Sequence, residues 1–412
     1  MVYQPPVGAR DLFPLDVTQK RWIEDHLQQV FHSWGYHRII TSTLERLDTL
    51  MAGGAIQPAT VIQLQDREGE FLGLRPELTA SIARAAVNRL TTAHYPQRLY
   101  YNANVFRRHQ GSTRQYEFYQ AGVELLGAGN VAADAEILLL LSNCLHRLGL
   151  GNSTIILGEA GLTRSLLSAF PESLRTEVRQ AIAHLDRIRL ETLPLEAESL
   201  QRALLLLDLR GQPEQVLQQV SQLDLEPAQR ATVNRLKNLI ELLQLSQTDA
   251  PPRLILDLSL IQTFDYYTGI VFEAISATGQ RILGQGGRYD QLLGLYHPKG
   301  ETQPGIGFVW NIEELHQVLL PTGQLPSQAP VSDWLIVPTG SAAHAAAFTY
   351  AQNIRQSAQA SQSVRVEVEL NSATPAEIRA YASRRQIKQI AWVSSEGIAE
   401  IEQLTDHRSV ED

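Results

Sequence analysis

Apolar residues recur at helical spacing at Ile23, Leu27, Val30 and Trp34, which predicts a first helix with Asp16 as its N-cap and Gly35 as its stop. The turn formers Pro5, Pro6, Gly8 and Pro14 precede it. Residues 36–44 read as a strand, and 61–64 and 71–74 as two more around the turn Asp66-Arg67-Glu68-Gly69. The alanine-rich stretch from Pro76 to Leu90 predicts a helix. Strands at 99–106 and 118–126 form an expected antiparallel hairpin around the basic loop Arg107-Arg108-His109-Gln110-Gly111-Ser112-Thr113-Arg114. A helix is expected at 132–148. Residues 171–247 are rich in Leu, Gln and Glu and lack aromatics, which predicts a wholly helical insertion.

Strands return at 254–260 and 268–276, and a strand-to-helix passage runs from Gly305 to Leu320. Between them Gly286-Gly287 reads as a tight turn carrying Arg288. A Pro/Ser/Gln-rich linker spans 321–330. Beyond it strands (334–338, 364–370, 389–394) alternate with helices (342–357, 375–385), which predicts a small α/β domain over 331–412 after a core over 1–320. The fold class expected is therefore α+β.

Charge narrows the function. Thirty-five Lys and Arg against forty-four Asp and Glu leave a net charge of −9 over 412 residues. That balance argues against a chain built to grip a phosphate backbone, though not against a local basic patch. From Pro330 onward ten acidic residues meet seven basic ones. The single cysteine, Cys144, excludes an intrachain disulfide and a multi-cysteine metal site, and the eleven histidines show no ligand spacing. No metal or cofactor is expected. No run approaches 18 apolar residues, and the first residues lack a basic, apolar leader pattern, so a cytoplasmic protein without a membrane span is expected. Neither a P-loop nor a Gly-x-Ser-x-Gly elbow occurs.

Strand alternation puts Gln120, Gly122 and Glu124 on one face. An amide, a missing side chain and a carboxylate make a slot for a small polar cation, or simply a solvated strand face. Glu77 and Thr79 stand where a helix begins, so they either cap it or present a carboxylate to an ammonium group. Tyr266 and Tyr267, inside Asp265-Tyr266-Tyr267-Thr268-Gly269, supply aromatic walls with hydroxyl tips or ordinary core packing. Arg107 and Arg114 bracket the basic loop and could clamp a phosphate or carboxylate.

Taken in order, these segments resemble the histidyl-tRNA synthetases, a class II aminoacyl-tRNA synthetase family. The resemblance covers about residues 5–320. It is carried by Gly8-Ala9-Arg10-Asp11, Leu74-Arg75-Pro76-Glu77-Leu78-Thr79, Phe106-Arg107 and Tyr119-Gln120-Ala121-Gly122-Val123-Glu124. Asp265-Tyr266-Tyr267-Thr268-Gly269, Gly286-Gly287-Arg288-Tyr289-Asp290 and Gly305-Ile306-Gly307-Phe308 complete it. The resemblance implies an antiparallel sheet flanked by helices, a homodimer through the first motif, and a reduced relative of an anticodon-binding domain at the C-terminus. It implies that Glu77, Thr79 and Gln120 hold an α-ammonium, that Glu124 and Tyr267 address an imidazole, and that Tyr266 is a neighbouring wall. Arg107 and Arg288 would be the remaining nucleotide-site arginines.

Three departures stand out. The family's Arg-Gly-Leu-Asp-Tyr-Tyr reads Gln262-Thr263-Phe264-Asp265-Tyr266-Tyr267 here, and its Gly-Leu-Glu-Arg reads Asn311-Ile312-Glu313-Glu314. Ser42 replaces a proline of the first motif. Adenylate chemistry depends on fixed positive charge, and removing one such group costs about 10²–10³ in rate. Gln262 and Glu314 thus mark a histidine pocket without catalysis. This pattern resembles the branch of the family that serves as regulatory subunits of ATP phosphoribosyltransferase. It implies a short-form catalytic partner, histidine as effector and no tRNA. A divergent synthetase, or a pseudo-synthetase with another partner, is the alternative.

Overall fold

The computed structural model describes residues 4–52, 56–89, 95–108, 115–246, 249–260, 266–357 and 364–404. The chain divides into two units, Met1–Pro326 and Ser327–Asp412. In the first, a nine-stranded sheet runs in the order His37–Arg38, Gln97–Phe106, Glu117–Leu126, Gly305–Asn311, Ile282–Arg288, Ile270–Ile275, Thr154–Glu159, Leu254–Asp257, Arg210–Gly211. Its pairs are antiparallel except His37–Arg38 with Gln97–Phe106 and Thr154–Glu159 with Leu254–Asp257. One face packs against the helices Pro14–Ser33 and Val131–Arg147, where Ile23, Leu27, Phe31, Leu138 and Leu141 meet Val123, Phe308 and Trp310. The other carries the helix Thr79–Arg89, whose Ile82 and Ala86 pack with Tyr101, Tyr267 and Tyr289.

The insertion is five helices, from Glu172–Ala183 to Pro227–Leu245, packed through Leu190, Leu206, Leu236 and Leu239. It is not wholly helical. Arg210–Gly211 pairs with Leu254–Asp257 and so extends the large sheet. The second unit has a four-stranded sheet ordered Val366–Val368, Trp334–Pro338, Gln389–Val393, Ala399–Gln403. Its helices His344–Ser357 and Pro375–Arg384 cover opposite faces. The antiparallel edge strand Ala399–Gln403 was not expected from sequence, because its Glu-rich alternation leaves it largely exposed. Among the described residues no helix is long and apolar enough to cross a membrane.

Three local expectations are corrected. Asp16 is the third helical residue rather than the N-cap, and its carboxylate accepts the Phe13 N–H at 3.0 Å; Gly35 does end the helix, at φ 79°. The strand expected over 36–44 is only His37–Arg38 and Leu44–Arg46. Between these pieces the carbonyls of Thr41 and Ser42 accept the buried Arg75 guanidinium at 2.9 and 3.2 Å. Gly286 and Gly287 lie inside the strand Ile282–Arg288, not in a turn. A Cβ on Gly286 would stand 2.2 Å from the Gly307 carbonyl oxygen, so glycine here marks close backbone approach.

Candidate functional site

The hairpin Gln97–Phe106/Glu117–Leu126 sets Gln120 and Glu124 inward, both buried. The chain before the Thr79–Arg89 helix brings Glu77 to the same place. Tyr266, Tyr267 and Tyr289 close the far side, with Tyr266 at 4.8 Å from Tyr267 and 6.0 Å from Tyr289 between ring centroids. All six residues assigned to histidine by resemblance (Glu77, Thr79, Gln120, Glu124, Tyr266, Tyr267) line one cavity. The gap left at Gly122 is filled differently from the slot expected. Tyr101, its cross-strand partner, occupies it, and a Cβ on Gly122 would lie 2.5 Å from the Tyr101 hydroxyl.

Glu77 is the cap of its helix. One oxygen accepts the Thr79 N–H at 2.7 Å and the other the Ala80 N–H at 2.8 Å. Thr79, expected as a possible cap, instead donates its hydroxyl to Glu124 Oε1 at 2.8 Å. Tyr289 donates its hydroxyl to Glu124 Oε2. Burial pushes the Glu124 carboxyl up to about 8, even against these two hydrogen bonds, and Glu77 nearby adds to the rise. Burial also raises Glu77, opposed by the Ala80 and Thr79 amides. Two desolvated carboxyls regain charge most readily when a cation is brought to them. Gly307 lets Glu124 approach, since a Cβ there would stand 2.0 Å from Glu124 Oε2. The cavity is about 20 Å³, room for about one water, so seating an amino acid requires its walls to part.

This cavity opens past Glu77, Arg107, Gln120 and Gln285 into a hollow of about 500 Å³. Arg107 is half-buried and donates Nε to the Pro76 carbonyl at 2.6 Å. The hollow also holds Arg108, Glu313 and Glu314. Glu313 accepts the Tyr119 N–H at 3.0 Å, and Glu314 pairs with Arg281 at 2.7 Å.

Arg288 is not brought to either space. It is buried on the other side of the sheet, donating Nε and Nη2 to Asp134 Oδ1 at 2.8 and 2.5 Å, and Nη1 to the Ala128 carbonyl and to Asp290. An arginine so committed has little left for a nucleotide. Gln262 and Arg114 lie outside the described residues. Tyr101, Tyr289 and Gln285 join the site without having been singled out as pocket walls. For Tyr101 the available signal was its in-phase position in the paired strand.

Residues 8–315 match the histidyl-tRNA synthetase family. An ATP phosphoribosyltransferase regulatory subunit of Nostoc sp. is 63% identical over 409 residues, covering 98% of this chain and 100% of that protein. One from Gloeothece citriformis is 56% identical, covering 98% and 99%. Among solved structures, an ATP phosphoribosyltransferase regulatory subunit/histidyl-tRNA synthetase from Bacillus halodurans aligns with a TM-score of 0.80 at 28% identity, over 96% of this chain and 99% of that one. A histidyl-tRNA synthetase from Nostoc sp. shares the fold, with a TM-score of 0.77 at 19% identity over 97% of each chain.

Proposed function

This chain belongs to the histidyl-tRNA synthetase family and, within it, to the ATP phosphoribosyltransferase regulatory subunits, and from that premise we propose that it is a catalytically degenerate subunit that senses histidine. It joins a short-form catalytic phosphoribosyltransferase and transmits histidine feedback through the cavity floored by Glu77 and Glu124. Glu77 and Gln120 receive the α-ammonium, and Glu124 with Tyr267 receives the imidazole. It charges no tRNA.

The carrying observation is Glu314. Where the family's third motif places a triphosphate-holding arginine, this chain has a carboxylate paired to Arg281. The hollow beside the pocket then carries three carboxyl residues, Glu77, Glu313 and Glu314, against Arg107 and Arg108. At the Glu314 position a carboxylate rather than a guanidinium lines the hollow, and it supplies no positive charge to steady a growing anion. The Nostoc strain with the 63% identical relative also has a separate histidyl-tRNA synthetase, which leaves the relative free of that duty. A homodimer through the first motif is part of the reading. It is supported by Ile40 and Phe71, 80% and 59% exposed, beside exposed Leu44 and Leu64. The test is histidine-dependent exchange of pyrophosphate with ATP, run beside histidine calorimetry. Binding without exchange is expected; robust exchange would overturn the reading in favour of a working synthetase.

A further inference from the structure

The tyrosine pocket and the hollow beside it share four residues, Glu77, Arg107, Gln120 and Gln285. These form the neck between the two spaces: one carboxyl, one guanidinium and two amides. Alternation along the strand Ile282–Arg288 puts Gln285 on the face of Gly287, where a Cβ would stand 2.7 Å from the Tyr267 ring. The half-buried Gln285 side chain is thus on the pocket side of the sheet.

The two charged groups of the neck are held by bonds of their own. Glu77 is fixed by the Thr79 and Ala80 amides, and Arg107 Nε by the Pro76 carbonyl. Burial lowers the Arg107 guanidinium and the Glu77 charge opposes this, so the two act on each other without sharing a hydrogen bond. The Nη groups of Arg107 and the side-chain amides of Gln120 and Gln285 have no hydrogen-bond partner among the described residues. Gln120 is 3% exposed. Its amide is desolvated with its bonds unmade, a cost that a polar ligand in the neck removes. A fixed carboxyl near a fixed guanidinium complements a zwitterion.

Resting on the histidine reading, we propose that Gln285 makes the site select a free α-amino acid: its Nε2 donates to the ligand's α-carboxylate beside Arg107. The placement follows from the other two ends of the ligand. With the imidazole at Glu124 and Tyr267 and the ammonium at Glu77 and Gln120, the third polar group on the α-carbon is left the other half of the neck, Arg107 and Gln285. A neutral amide there donates without adding charge, so the neck keeps one carboxyl against one guanidinium. A ligand with the imidazole and ammonium but no carboxylate leaves Arg107 and Gln285 unanswered. Sites built to hydrogen-bond a ligand group reject analogues lacking it far more strongly than sites that only fill space.

The test is calorimetry on the full chain with L-histidine and with histamine, which lacks only the carboxylate. Wild type is expected to bind histidine at least about tenfold more tightly than histamine. Gln285→Leu keeps the bulk and removes the donor; it is expected to weaken histidine about tenfold and leave histamine within about twofold. Gln285→Glu sets a carboxylate against a carboxylate, so it should weaken histidine further without weakening histamine, and it decides the matter if Gln285→Leu fails to fold. Histamine binding as tight as histidine binding in wild type would overturn the proposal while leaving the pocket reading in place. So would equal weakening of both ligands in the variants, the mark of a merely structural role. Binding of neither ligand by wild type would defeat the pocket reading itself, and this proposal with it.

Discussion

The hydroxyl of Thr79 donates to Glu124 Oε1 at 2.8 Å, across forty-five positions of sequence. That bond ties the first residue of a helix to the C-terminal half of a central strand, at the floor of the tyrosine pocket. Both carboxyls there are buried, so the pocket is built to receive positive charge.

Glu124→Ala should therefore remove histidine binding while the protein stays folded. Losing a charge-assisted hydrogen bond in a buried site is worth about 1.5–3 kcal/mol, or roughly 10- to 100-fold in affinity. Calorimetry reads this directly. Unchanged affinity would move the histidine site elsewhere.

The same carboxyl gives a pH signature. Its folded-state value of about 8 lies above the ordinary 4.5, so the folded protein holds this proton more tightly than the unfolded chain. The stability it contributes is fully present below about pH 4.5 and is lost as pH rises through about 8. Glu124→Gln mimics the protonated form. Its stability relative to wild type should rise between these limits, by on the order of a few kcal/mol, and stay level outside them. Paired thermal melts across that range check the sign, and a pH-independent difference would contradict it.

Glu77 has two tasks, and truncation should expose both. Glu77→Ala removes the cap from the Thr79 and Ala80 amides, lowering stability by about 1 kcal/mol in urea denaturation. It also removes the partner proposed for the α-ammonium, so histidine affinity should fall with it. A loss of stability with unchanged affinity would leave only the cap.

The two arginines should separate cleanly. Arg288→Met leaves Asp134 short of its buried partner and should cost about 3–5 kcal/mol. Arg107→Met, beside the open hollow, should cost about 1 kcal/mol. Urea denaturation distinguishes them, and similar small losses would return Arg288 to the list of ligand-binding candidates.

Much of the pocket was readable because strand alternation is local. Gln120 and Glu124 had to share a face once residues 118–126 were a strand, and the order of motifs linked them to Glu77 and the two tyrosines. What escaped depends on partners distant in sequence. Tyr101 fills the space at Gly122 only through cross-strand register. Arg288 looks like a loop arginine until Asp134, 154 positions away, is placed against it. The residues after Arg38 have the β-branched composition of a strand, but Arg75 takes the carbonyls a neighbouring strand would need.

The most direct measurement is the activity of the short catalytic phosphoribosyltransferase chain with and without this protein, titrated with histidine. The account predicts activity that requires this chain and is suppressed by histidine, with the suppression lost in Glu124→Ala. Full activity of the catalytic chain alone, or inhibition indifferent to Glu124, would contradict it.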